Sequence, residues 1–181
     1  MQLLPDTVLA HTQQWLEKAV IGLNLCPFAK AVHAKGQIRW VVSEATTTEA
    51  LLLSVEQELQ ALADADPLLI DTTIVVHPQL LHNFYDFNDF LGVAEDRLLE
   101  LGLEGVLQIA SFHPDYQFAD AKADDIGNYS NRSPYPTLHL LREHSISRAL
   151  ATGPSAELID ERNQRTLKKL GLRGWQELFK A

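Results

Sequence analysis

Apolar and polar positions along this chain fall into helical and extended stretches that alternate. After Pro5-Asp6, the residues Leu9, Thr12, Trp15, Leu16, Ala19, Val20 and Leu23 recur at helical spacing. That spacing predicts an amphipathic helix with Asp6 as N-cap and an end near Gly22 or Asn24. Proline disfavours a helical conformation in the residue before it and is itself favoured at the first helical position. Leu25-Cys26-Pro27 therefore predicts Cys26 at the N-cap of a short helix, Pro27 to Lys35, stopped by Gly36. Residues 38–42 read as a buried strand, and Thr46 with Glu49 as a capping box opening a helix through Leu51, Leu52, Val55, Leu59 and Leu62. A second strand spans 72–77 and ends at His77-Pro78. A helix through Phe90, Leu91, Ala94, Leu98 and Leu101 follows, and a third strand, 106–111, leads to His113-Pro114.

Strands separated by helices imply βαβ units. The fold expected is a single α/β domain over residues 1–181, in two or three layers, with a short parallel or mixed sheet covered by helices. The two His-Pro pairs lie 36 residues apart, each directly after a strand. In a parallel sheet this places His77 and His113 at the carboxyl edge, where α/β proteins bind ligands. Between the third strand and Pro136 runs a long segment, Ser111–Pro136, without helix or strand period. Its aromatics, Phe112, Tyr116, Phe118, Tyr129 and Tyr135, argue for an ordered loop, and ordered loops of this length are commonly functional. Pro136 then suits a helix start, with Leu138, Leu141, Ile146 and Leu150 on its buried face. On that helix His139, Arg142 and Glu143 would lie within one turn. Further helical pieces follow Gly153-Pro154-Ser155 and carry Trp175, Leu178 and Phe179.

Composition narrows the function classes. The formal net charge is −9, concentrated in residues 44–125 with 17 acids against 2 bases, while the flanking segments are each mildly basic. Such a chain is poorly suited to nucleic acid, which is held mainly through phosphates, but locally basic segments can still hold a small anion. No apolar run approaches a membrane span, and the first residues lack the pattern of a secretory signal. A lone cysteine, Cys26, excludes an internal disulfide and fits a reducing compartment, so the expected location is cytoplasmic.

Three stretches carry a resemblance: GLNLCPFAK at 22–30, the two His-Pro strand ends, and NRSPYPTLHLLRE at 131–143. Through them the chain resembles the bacterial domain of unknown function family 1415 over nearly its whole length. The resemblance implies a soluble single-domain protein and supplies no substrate, cofactor or catalytic residue.

The chemistry must therefore come from the residues. A thiol at a helix N-cap is biased towards thiolate, and Lys30 one turn on adds to this. Cys26 is a candidate nucleophile, with His113 or His77 as acid/base and Asp115 orienting a histidine. Equally, Cys26 can be a buried, inert thiol between Leu25 and Phe28. Asn128, Asn131, Arg132 and Ser133 precede the expected helix start at Pro136, where backbone donors and a guanidinium would receive an anion. The same residue types are ordinary turn formers. His139 and Arg142 are further candidate contacts. The preferred reading is an enzyme acting on a small anionic metabolite at the carboxyl edge of the sheet. One alternative is a zinc or iron enzyme with Cys26, His77 and His113 as ligands. The other is a non-catalytic metabolite-binding or scaffold protein.

Overall fold

The computed structural model describes residues 4–180. The first helix, α1 (Pro5–Trp15), continues as a π-helical segment, Leu16–Ile21. Pro5 takes the first helical position and Leu4 the N-cap; Asp6 sits inside the first turn, where its charge favours the dipole. The chain turns at Asn24, which adopts the left-handed conformation (φ 54°) that asparagine tolerates. Helix α2 is only Ala29–Ala34. Its N-cap is Phe28, so Cys26 lies two residues ahead of the cap and lacks the N-terminal environment expected for it.

Strand β1 (Ile38–Val42) leads to α3 (Thr48–Asp64), whose N-cap is Thr47, one residue later than the sequence suggests; its hydroxyl accepts from the Ala50 N–H. Strand β2 (Thr72–Val76) is buried throughout, α4 (Phe84–Glu100) is capped by Asn83, and β3 covers Leu107–Phe112. A 3-10 turn, Ile126–Ser130, lies within the long loop. The largest departure from expectation follows. Residues Thr137–Arg142 form a strand, β4, and the helix begins only afterwards, as α5 (Glu143–Thr152). A long kinked helix, α6 (Ala156–Glu177), completes the chain, with Gly171 at φ 66° in the kink.

The sheet is mixed, in the order β1-β2-β4-β3. Strand β1 is parallel to β2, and β4 is antiparallel to both β2 and β3. Because β4 opposes each neighbour, β2 and β3 remain parallel to one another and both end at one edge. The Val76↔Thr137 and Phe112↔Thr137 pairs fix that alignment. His77 and His113 therefore do emerge at a common edge, although the strand between them runs the other way.

Register also assigns the faces, since directly paired residues point the same way. Val41, Val75, Leu138 and Leu140 face α3 and α4, packing with Leu51, Val55, Leu59, Phe87 and Ala94 in the larger core. Trp40, Ile74, His139, Ala110 and Phe112 face the opposite layer. There Trp15, Leu16, Ala19, Leu25 and Leu167 form a second core with α1, the π-helical segment and α6. The sheet is thus sandwiched between two helical layers. No helix among the described residues is long and apolar enough to cross a membrane.

Candidate functional site

The two strand-end histidines are built into the α3/α4 side. His113 is fully buried. Its Nδ1 accepts the Asp115 backbone N–H at 3.0 Å, and its Nε2–H donates to the Leu81 carbonyl at 3.0 Å. Both ring nitrogens are committed, which fixes a neutral tautomer; burial lowers the pKa, partly opposed by the Leu81 bond and the Asp115 charge. Asp115 itself is exposed and meets His113 through its backbone. His77 is also fully buried and stacks on Phe87 with ring centroids 5.7 Å apart. Neither ring nitrogen has a hydrogen-bond partner of good geometry, although the Leu80 backbone is near enough to oppose the shift. Burial brings the His77 pKa down to about 4.

Cys26 is on the other side of the sheet, packed against the second core with Trp40 and Phe112. His77 and His113 pack instead against Phe87 of the larger core, so the two histidines and Cys26 belong to different layers and are not brought together as a Cys–His pair. Among the described residues no group of three or more His, Cys, Asp or Glu side chains could hold a metal ion.

The loop residues are engaged within the loop. Asn128 is fully buried, accepts from the Phe118 N–H at 3.1 Å and donates to the Lys122 carbonyl at 2.8 Å. Arg132 donates to the Tyr116 and Ala123 carbonyls and lies 4.5 Å over the Tyr129 ring. Asn131 donates to the Ser111 carbonyl at 3.3 Å, and the Ser133 hydroxyl to the Tyr135 carbonyl at 2.6 Å. Since Pro136 opens a strand, the helix N-terminus expected to receive an anion beside Arg132 does not exist. These contacts order the loop.

Open space lies instead over the Trp40–Phe112 face. A cleft of about 920 Å³ is bordered by Cys26, Pro27, Phe28, Val32, Ile38, Ile74, Phe112 and Leu141. That size suits a small organic ligand. It extends towards the edge where β1 and β2 begin, with Gln37, Asp71, Thr72 and Ser145 on its border. A small adjoining pocket of about 50 Å³ is lined by both Cys26 and His139. Two of the sequence candidates, Cys26 and His139, thus share a cavity, which lies over one face of the sheet and not at its carboxyl edge alone.

His139 is the best-defined polar group on this wall. The Thr72 hydroxyl is 2.7 Å from the Leu140 carbonyl and 2.6 Å from His139 Nε2. A carbonyl only accepts, so the single hydroxyl proton goes to Leu140 and Nε2–H must donate to Thr72. Burial brings the His139 pKa down to about 4, so the imidazole is neutral at pH 7.

The charged residues bordering the cleft are Lys35, Arg142 and Arg148 against Asp71 alone. Asp71 accepts the Ser145 hydroxyl at 2.6 Å. Arg142 belongs by register to the α3/α4 face, and its terminal NH2 donates to the carbonyls of Leu62, Ala65 and Ile70. It caps the C-terminal end of α3, and only the margin of the residue reaches the cleft. Lys30 is exposed on α2 and does not line the cleft. Sequence reasoning misses Lys35, Asp71, Thr72, Ser145 and Arg148. Only the location of Thr72 at a strand start hints at a role, and its partner lies 67 residues away.

A mixed sheet between two helical layers, with a largely apolar cleft over one face, defines an α/β protein carrying a small-molecule-sized cavity. The chain belongs to the family described as Protein of unknown function (DUF1415), whose model matches residues 7–177. Neither the curated proteins nor the solved structures include a match to it.

Proposed function

We propose that this chain binds a small organic anion with an apolar body in the cleft over the Trp40–Phe112 face, with Cys26 on the wall beside the ligand. The observation that carries this reading is a single cleft of about 920 Å³ bordered by Cys26, by His139 and by the cationic residues Lys35 and Arg148 against one acid, Asp71, in a chain of net charge −9. Its walls are mostly aliphatic and aromatic, which suits burial of a hydrocarbon body. Lys35 and Arg148 are exposed at its border, where an anionic head stays partly hydrated.

Binding is favoured over Cys–His catalysis by the state of His139. An imidazole with a pKa of about 4 is neutral at pH 7, so His139 does not supply the imidazolium of a thiolate–imidazolium pair. Titration calorimetry with decanoate tests the proposal. Decanoate should bind the wild-type protein, and Lys35→Glu with Arg148→Glu should weaken it. No heat of binding at millimolar decanoate would defeat the reading.

A further inference from the structure

We infer that the ligand of this cleft carries a hydrogen-bond donor, a hydroxyl or amide N–H, within its apolar body, and that His139 Nδ1 receives it. The inference rests on the proposed function above and specifies the ligand class. It follows from the Thr72 contacts. The Leu140 carbonyl takes the Thr72 proton at 2.7 Å, so His139 Nε2–H is committed to Thr72 at 2.6 Å. Nδ1 is left as a lone-pair acceptor. It has no protein partner among the described residues, yet it is not a sealed atom. The imidazole borders both the large cleft and the small pocket shared with Cys26.

The surroundings make this acceptor selective. Leu16, Val20, Ala29, Ile74 and Phe112 border the same small pocket without a side-chain donor. Trp15, Cys26 and Thr137 also border it, the Trp15 indole N–H without a partner among the described residues and the Thr137 hydroxyl committed to the Tyr135 carbonyl. A hydroxyl buried among them without a partner would weaken binding, because desolvation is then uncompensated. A hydroxyl that reaches Nδ1 gains a bond that an alkane lacks. A carboxylate at this position would meet a lone pair, so the anionic head belongs at the Lys35 and Arg148 end and the donor at the His139 end.

Two measurements test this. Long-range ¹⁵N–¹H correlation spectra of the free protein report the tautomer, and Nε2–H is expected for His139; a ring protonated at Nδ1 overturns the inference. Calorimetry with decanoate and a series of monohydroxydecanoates, the hydroxyl moved along the chain, reports the preference. At least one isomer should bind roughly three- to tenfold tighter than decanoate, the range of one net hydrogen bond. Thr72→Val, which releases the tautomer, should erase that preference, whereas Thr72→Ser should keep it. If decanoate binds and no isomer binds better, or the preference survives Thr72→Val, the donor assignment fails while the cleft remains a ligand site. If decanoate and every isomer fail to bind, both readings fall.

Discussion

Replacing Arg142 with methionine removes the clamp between the end of β4 and the end of α3. The terminal NH2 lies 2.6 Å from the Leu62 carbonyl, 2.7 Å from Ala65 and 3.2 Å from Ile70. One NH2 has two protons, so two full charge-assisted bonds and a shared third form the upper limit. The guanidinium also sits at the negative end of the α3 dipole. With charge-assisted bonds contributing about 1.5–3 kcal/mol each and a half-exposed site, the expected loss is about 2–4 kcal/mol. For a chain of this size that lowers Tm by roughly 5–15 °C. Lysine, a point donor with a shorter reach across the three carbonyls, should rescue only part of this. The assay is urea unfolding of wild type, Arg142→Met and Arg142→Lys, comparing midpoints at a constant m value. A methionine variant as stable as wild type would refute the clamp and return Arg142 to the cleft as a ligand contact.

Stability should also depend on acid. His77 and His139 have folded pKa values of about 4 against 6.5 for the unconstrained group, so the unfolded chain binds more protons between those values. Stability is intact above about pH 6.5 and falls as pH drops towards 4, by about 3 kcal/mol per histidine; His139→Asn should flatten the slope by about one proton, seen in urea midpoints against pH. Gly22→Ala should destabilise by about 1–3 kcal/mol, because a β-carbon there meets the backbone carbonyl of Lys18, which cannot swing aside; thermal unfolding measures it. His113→Leu should cost about 1–3 kcal/mol by orphaning the Leu81 carbonyl and the Asp115 N–H, without altering decanoate affinity, as paired unfolding and calorimetry would report.

Much of the fold is legible because its helices are amphipathic and its first three strands are bounded by breakers. The common edge of His77 and His113 follows from strand order, and it survives because an inserted antiparallel strand leaves its two neighbours parallel. The segment Thr137–Arg142 reads as helix for a physical reason. A central strand buried on both faces shows no strict alternation, so Leu138, Leu140 and Leu141 fit a helical face as well as two sides of a sheet. Everything placed on that helix moves with it: His139 turns to the cleft, Arg142 to the opposite layer. The separation of Cys26 from both strand-end histidines is not readable, since it depends on which face the N-terminal layer covers. The His139–Thr72 bond joins residues paired only through tertiary register.

The claim that Cys26 lines a ligand-binding cleft is tested most directly by its alkylation rate. Iodoacetamide labelling of the single thiol, followed by intact mass, should slow at least severalfold as decanoate saturates the protein, with half-protection at the calorimetric Kd. An unchanged labelling rate at saturating decanoate would place the ligand elsewhere and contradict the cleft assignment.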